Sequence, residues 1–221
     1  MIPYRSITAA LTGALAVSTL AAGASFAAQG LAWPKDFAPK VTDSSAWNEH
    51  KVEGSALRFR VFLPPEWKLS ILSPSDDQIF TASDLSRGFQ VSIESPSPTS
   101  FNLDKPLPNE TVQAATTAMR EALGAKGYDV TTGGQIVAAR QVWVWQEARM
   151  QTAALGSFAK LMSVGSGSVW VFTATPRGHR VTLRCFVLYP SGATTADLDQ
   201  KTRLAGGIFA TVLDRLVIEE R

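Results

Sequence analysis

Few residues in this chain are of a type and spacing that could do covalent chemistry. Ser157-Phe158-Ala159-Lys160 spells S-x-x-K, in which an amine one helical turn from a hydroxyl could accept its proton. That pairing needs a helix. After Gly156 the segment 157–164 reads as a strand, which sends the two side chains to opposite faces. The companion motifs S-D-N and K-T-G are absent from the sequence. Cys185 shares a strand face with Val181, Leu183 and Val187, so its thiol is expected to be buried and inert. His179 is then left without a nucleophile to activate, and His50, the other histidine, lies beside Glu49 in a polar stretch. A single cysteine excludes an intramolecular disulfide and a Cys-based zinc site. The sequence holds no Walker A loop, no G-x-G-x-x-G after a strand, no H-E-x-x-H and no G-x-S-x-G. No catalytic residue, cofactor or metal is assigned, and the expectation is a protein that is not an enzyme.

Three groups of residues could instead bind. Trp143 and Trp145 stand two apart on one strand face, a spacing that suits a platform for a sugar ring or a peptide. On a central strand the same spacing is what a helix-covered core shows, and we prefer that reading. Phe101, Leu103 and Leu107 are set among prolines in the loop Ser95–Pro108, which either presents them to a partner or lays them over a sheet face. Arg177, His179 and Arg180 form a basic hairpin tip, which could grip an anion with Arg184 assisting or simply be a solvated turn. Trp33 and Trp47 have no apolar pattern around them; they fold back over the sheet or belong to a contact surface.

These residues sit in a chain of 221 residues with 45% hydrophobic and 18% charged side chains, an ordinary globular balance. Lys plus Arg number 21 against 19 for Asp plus Glu, too even to indicate a nucleic-acid partner. Met1–Arg5 is a short charged lead, Ile7–Ala22 is uncharged and rich in Ala and Leu, and Ser25-Phe26-Ala27 supplies small residues at the minus-three and minus-one positions. That is the tripartite pattern of a signal peptide cut after Ala27, so the mature protein is expected to be secreted or periplasmic, without stable membrane insertion. Thr8, Thr12, Ser18 and Thr19 make the stretch a poor membrane anchor.

Residues 28–55 show no period and read as an irregular lead-in. From 56 to 221 a single α+β domain is expected. Alternation marks Leu57–Leu63, then Trp67–Leu72, Gln78–Ala82 and Phe89–Glu94. A helix runs from Asn109 to Gly127, with Val112, Ala115, Met119 and Leu123 at helical spacing. Strands are expected at Gln135–Ala138, Gln141–Met150, 157–164, Val169–Thr175 and Val181–Tyr189. A second helix opens with Thr194 and Asp197 as a capping box. So few helices cannot wind a parallel sheet, so an antiparallel sheet flanked by helices follows.

The strand Phe59-Arg60-Val61-Phe62-Leu63 running into Pro64-Pro65-Glu66-Trp67 carries a resemblance. With the mid-chain helix, the meander containing Ala139-Arg140-Gln141-Val142-Trp143 and the C-terminal helix, residues 55–218 resemble the PsbP-like αβα sandwich group. That group includes photosystem accessory proteins, a Ran-binding import factor and many small secreted bacterial proteins. The resemblance implies an αβα sandwich and non-catalytic binding; it carries no binding motif onto this chain. The expected function is binding of a protein partner, or assistance in assembling a complex, in the cell envelope. The alternative is a small-ligand or carbohydrate module using Trp143 and Trp145, and a remoter one is a Ser157/Lys160 hydrolase.

Overall fold

Alternating apolar residues place half of each early strand against a core, and the computed structural model shows where those faces meet. It describes residues 31–37, 43–72, 78–124, 127–151 and 164–221. The segment 1–27 and the S-x-x-K run at 157–160 lie outside the described residues. In chain order the elements are β1 (Asn48–Glu53), β2 (Leu57–Leu63), β3 (Lys68–Ile71), β4 (Gln78–Asp84), β5 (Phe89–Glu94), β6 (Ser97–Pro98), α1 (Asn109–Gly124), β7 (Tyr128–Ala138), β8 (Gln141–Gln151), β9 (Val164–Ala174), β10 (His179–Pro190), α2 (Thr195–Arg215) and β11 (Val217–Glu220). The fold class is α+β. The large sheet has the antiparallel order β3-β4-β5-β10-β9-β8-β7, with β6 attached to β10, and a small antiparallel sheet has the order β1-β2-β11.

The central strands are apolar on both faces because each face is covered. Trp143, Trp145, Trp170, Phe172, Leu183 and Val187 pack into one core with Ile208, Phe209, Val212 and Leu213 of α2 and with Leu57, Phe59, Val61 and Leu63 of β2. On the opposite face, Val169, Val171, Ala148 and Met150 pack with Met119 of α1. A helix therefore lies on each side of the sheet, as the sequence leads one to expect. Thr194 caps α2: its hydroxyl accepts from the Asp197 backbone N–H, and the Asp197 carboxylate accepts from the Thr194 N–H.

Several parts of the chain depart from expectation, among them the short strands β6 and β11, which sequence reading does not anticipate at all. Residues 28–55 are not all irregular. Asn48–Glu53 pairs with β2, and only Val52 of that strand is buried, so no alternation announces it. Ahead of it, residues 31–37 lie against the core, with the Phe37 ring packed on Trp170, Phe172 and Phe209. A side chain at Gly206 of α2 would drive its Cβ into the Asp36 carbonyl oxygen, so glycine there is what lets this segment approach the helix. A further departure is β7, which begins at Tyr128 rather than Gln135. A register shift between Val130 and Thr132 breaks the two-residue period over its first half.

Candidate functional site

Of the residues that sequence reading singled out for binding, Trp143, Trp145 and Leu103 are buried, Phe101, Leu107, His179 and Arg180 are half-buried, and Arg177 is exposed. Trp143 and Trp145 are 0% and 5% exposed, and their indoles donate to the carbonyls of Ala138 (3.0 Å) and Ala32 (2.9 Å). They form no open platform, because α2 and residues 31–37 cover the face they occupy. That removes the Trp143/Trp145 platform on which the small-ligand or carbohydrate-module alternative was built. Leu103 is buried, and Phe101 and Leu107 pack with it against Val112 and Val144. The loop is fastened at two points: the Leu103 N–H donates to Thr175 Oγ1 (2.7 Å), and the Gln135 side-chain amide exchanges bonds with the Leu107 N–H (2.8 Å) and carbonyl (2.7 Å). Leu103 therefore closes a sheet face, with Phe101 and Leu107 half-buried beside it. Cys185 is fully buried, and burial pushes its thiol well above the usual range.

The basic tip is where it was expected, in the β9–β10 turn. Arg177 is exposed, adopts φ 54°, and pairs with Glu220 of β11. The His179 Nδ1 lies 3.1 Å from the Arg177 carbonyl, and Arg180 is half-buried opposite Ser97. Arg184 is not available to assist: it is 1% exposed on the face of β10 away from α2 and pairs with Glu94. His50 is half-buried on β1, opposite Val61.

The β7–β8 turn lies at the same end of the large sheet. Its two central residues, Ala139 and Arg140, both have positive φ, 51° and 59°. A two-residue hairpin of this kind favours Asn and Gly, because left-handed backbone costs other residues about 1–2 kcal/mol each. The turn is held nevertheless. Ala139 packs on the main core, and Trp143 anchors the Ala138 carbonyl. The result is that Arg140 projects from a fixed point and has no hydrogen-bond or ion-pair partner among the described residues.

Arg140 lines a cleft of about 490 Å³ between this turn and the α2–β11 junction. Two further arginines reach it. Arg215, in the last turn of α2, donates to the Ser44 carbonyl (2.5 Å) and stacks 4.3 Å above the Phe62 ring. Arg60, on the outer face of β2, is the third; its Nε is buried and makes no hydrogen bond among the described residues. Asp214 is the acidic lining residue, and Leu216, Val217 and Ile218 form the apolar floor. Arg60 pairs with Glu219, 3.3 Å away, so Arg140 and Arg215 are the lining cations with no ion pair among the described residues, and they face the Asp214 carboxylate.

A second cleft, of about 560 Å³, lies on the outer face of the small sheet. There Lys51, Arg58 and Arg60 are matched by Glu49, Glu53 and Glu219, with Arg58 3.6 Å from Glu53 and Arg60 3.3 Å from Glu219. Its charges satisfy one another, so the cationic cleft is the stronger candidate for a binding site.

Sequence reading missed this site. Its side chains come from β2, the β7–β8 turn and the α2–β11 junction, and no local motif joins them. The one signal available was Ala139-Arg140 in a two-residue turn, where Asn-Gly is the relaxed choice.

No family model matches the chain, and no curated protein matches it. Solved structures do. LpqN, involved in cell envelope biogenesis of Mycobacterium tuberculosis, is similar at 12% identity and a TM-score of 0.44, over 78% of this chain and 91% of that one. The Ran-binding protein Mog1p of Saccharomyces cerevisiae is similar at 12% identity and a TM-score of 0.43, over 77% of this chain and 95% of that one.

Proposed function

We propose that this protein is a non-enzymatic binding module of the cell envelope, secreted or periplasmic, that holds a protein partner in the arginine-lined cleft. The observation that carries the reading is the fixed Arg140, without a partner among the described residues, set on a strained turn beside Arg60 and Arg215. Strain of this kind persists where the surrounding structure over-determines it, and it gathers at sites of recognition. Arginine also supplies the planar donor fork that recognises carboxylates at interfaces. Export rests on the tripartite pattern of residues 1–27, and non-catalytic binding is what the PsbP-like resemblance implies. No helix among the described residues is long and apolar enough to cross a membrane.

The test is capture in the native envelope. A photo-reactive phenylalanine analogue at Asp214, on the cleft wall, is expected to cross-link one stoichiometric protein, while the same analogue at Asn102 captures none. Arg140→Gly separates function from folding. It relaxes the turn, stabilising the fold by about 1 kcal/mol, and it abolishes capture. Equal capture from both positions, or capture unaffected by Arg140→Gly, would sink the reading.

A further inference from the structure

We infer that the cleft receives a short extended acidic segment of the partner, which adds as a fourth strand to the free edge of β11. This rests on the cleft being the partner site and names the chemistry that it selects.

Among the described residues the small sheet ends at β11, which pairs with β2 on one side only. The Arg221 N–H donates to the Ala56 carbonyl, and the register sets Glu219 against Arg58 and Val217 against Arg60. In an antiparallel ladder the bonded pairs alternate, so Val217, Glu219 and Arg221 point their backbone groups at β2. The N–H and C=O groups of Ile218 and Glu220 then point to the free edge. On the other side of β2, the Gly54 N–H donates to the Leu57 carbonyl, which fixes the same alternation. Val217–Glu220 contains no proline, so this edge retains its donors.

Leu216, Val217 and Ile218, which lead into and form the first half of that edge strand, line the cleft. Charge then orients the occupant. Arg140 and Arg215 stand at the Val217 end without ion pairs among the described residues, while at the far end Glu219 pairs with Arg60 and Glu220 with Arg177, leaving no free cation there for a carboxylate. A segment with carboxylates at one end and uncharged residues along the rest meets both. Side chains two apart on a strand share a face and lie about 6.6 Å from each other, which lets two carboxylates of an extended segment address the cation pair from one side. Main-chain bonds to the edge supply affinity, and the arginines supply the choice of partner.

The experiment uses the purified protein and two fluorescein-labelled peptides, Asp-Val-Asp-Val-Thr-Val and its reverse, read by anisotropy. One of the two is expected to bind, and affinity should fall at least tenfold with Arg140→Glu and at least tenfold when alternate peptide amides are N-methylated. Binding that is indifferent to N-methylation would overturn strand addition. If neither peptide binds while the Asp214 photo-probe still captures a protein, the acidic extended segment is wrong and the partner reading stands. If capture also fails, the reading beneath it is wrong. Sedimentation with phosphatidylglycerol vesicles that depends on Arg140 would assign the cations to a lipid headgroup and overturn the proposal.

Discussion

Replacing Phe37 tests whether the segment ahead of β1 belongs to the core. Phe37 is 3% exposed, and its ring centroid lies 5.2 Å from Trp170, 5.5 Å from Phe172 and 6.0 Å from Phe209. It also stacks on Trp33 at 6.5 Å. Burying a phenylalanine side chain contributes about 1.5–3 kcal/mol, and aromatic pairs add about 0.5–1.5 kcal/mol beyond the area they bury. These terms do not add freely, and the cavity left behind adds its own. We expect Phe37→Ala to cost about 4 kcal/mol, within the range for truncated core aromatics. With a urea slope of about 2 kcal/mol per molar, the unfolding midpoint should fall by about 2 M. Phe37→Leu keeps most of the volume and should cost under about 1.5 kcal/mol. Tryptophan emission during urea unfolding reads both, since Trp33 and Trp170 flank the site. A midpoint shift below about 0.5 M for Phe37→Ala would show that residues 31–37 only rest on the surface.

Other expectations follow from single contacts. Burial, and then the nearby Asp36 carboxylate, raise the Glu147 carboxyl above its usual range, with Arg149 and Lys35 offsetting part and Tyr189 close by. Because the fold favours the protonated form, that stabilisation is full below the unfolded-state value of about 4.3 and is lost as pH rises through the folded value. Glu147→Gln should therefore be more stable than the parent at pH 7, and denaturation curves should converge in acid. Thr194→Ala removes the α2 cap and should cost about 1 kcal/mol; the Asp197 carboxyl, which the Thr194 hydrogen bonds hold below its usual range, should rise in an NMR titration. Cys185 should ignore a thiol reagent at pH 8 in the native protein and react fully in denaturant; rapid native labelling would mean that the strand face is open.

Much of the fold was legible because burial leaves a period. Leu57, Phe59, Val61 and Leu63 alternate since only one face of β2 is covered, while Val142–Trp145 is apolar throughout since both faces of β8 are. Where burial leaves no period, sequence reading failed. Asn48–Glu53 buries one residue, Tyr128–Gly134 carries a bulge, and β11 is a four-residue edge beyond the helix. The apolar candidates belong to the core, which is the reading preferred for Trp143 and Trp145 from their place on a central strand. Trp143, Trp145, Phe101, Leu103 and Leu107 are large and apolar, and in this fold such residues close the core. The site is built from arginines that local sequence treats as solvated surface. What marks Arg140 is its backbone, which composition does not display.

Amide hydrogen exchange on the purified protein, with and without the protein captured from the envelope, tests the central claim most directly. The account predicts protection at residues 139–141 and 216–220, led by the amides of Ile218 and Glu220, with 99–108 unchanged. Protection confined to 99–108 or to the outer face of β1 and β2, with the β11 edge still exchanging freely, would contradict it.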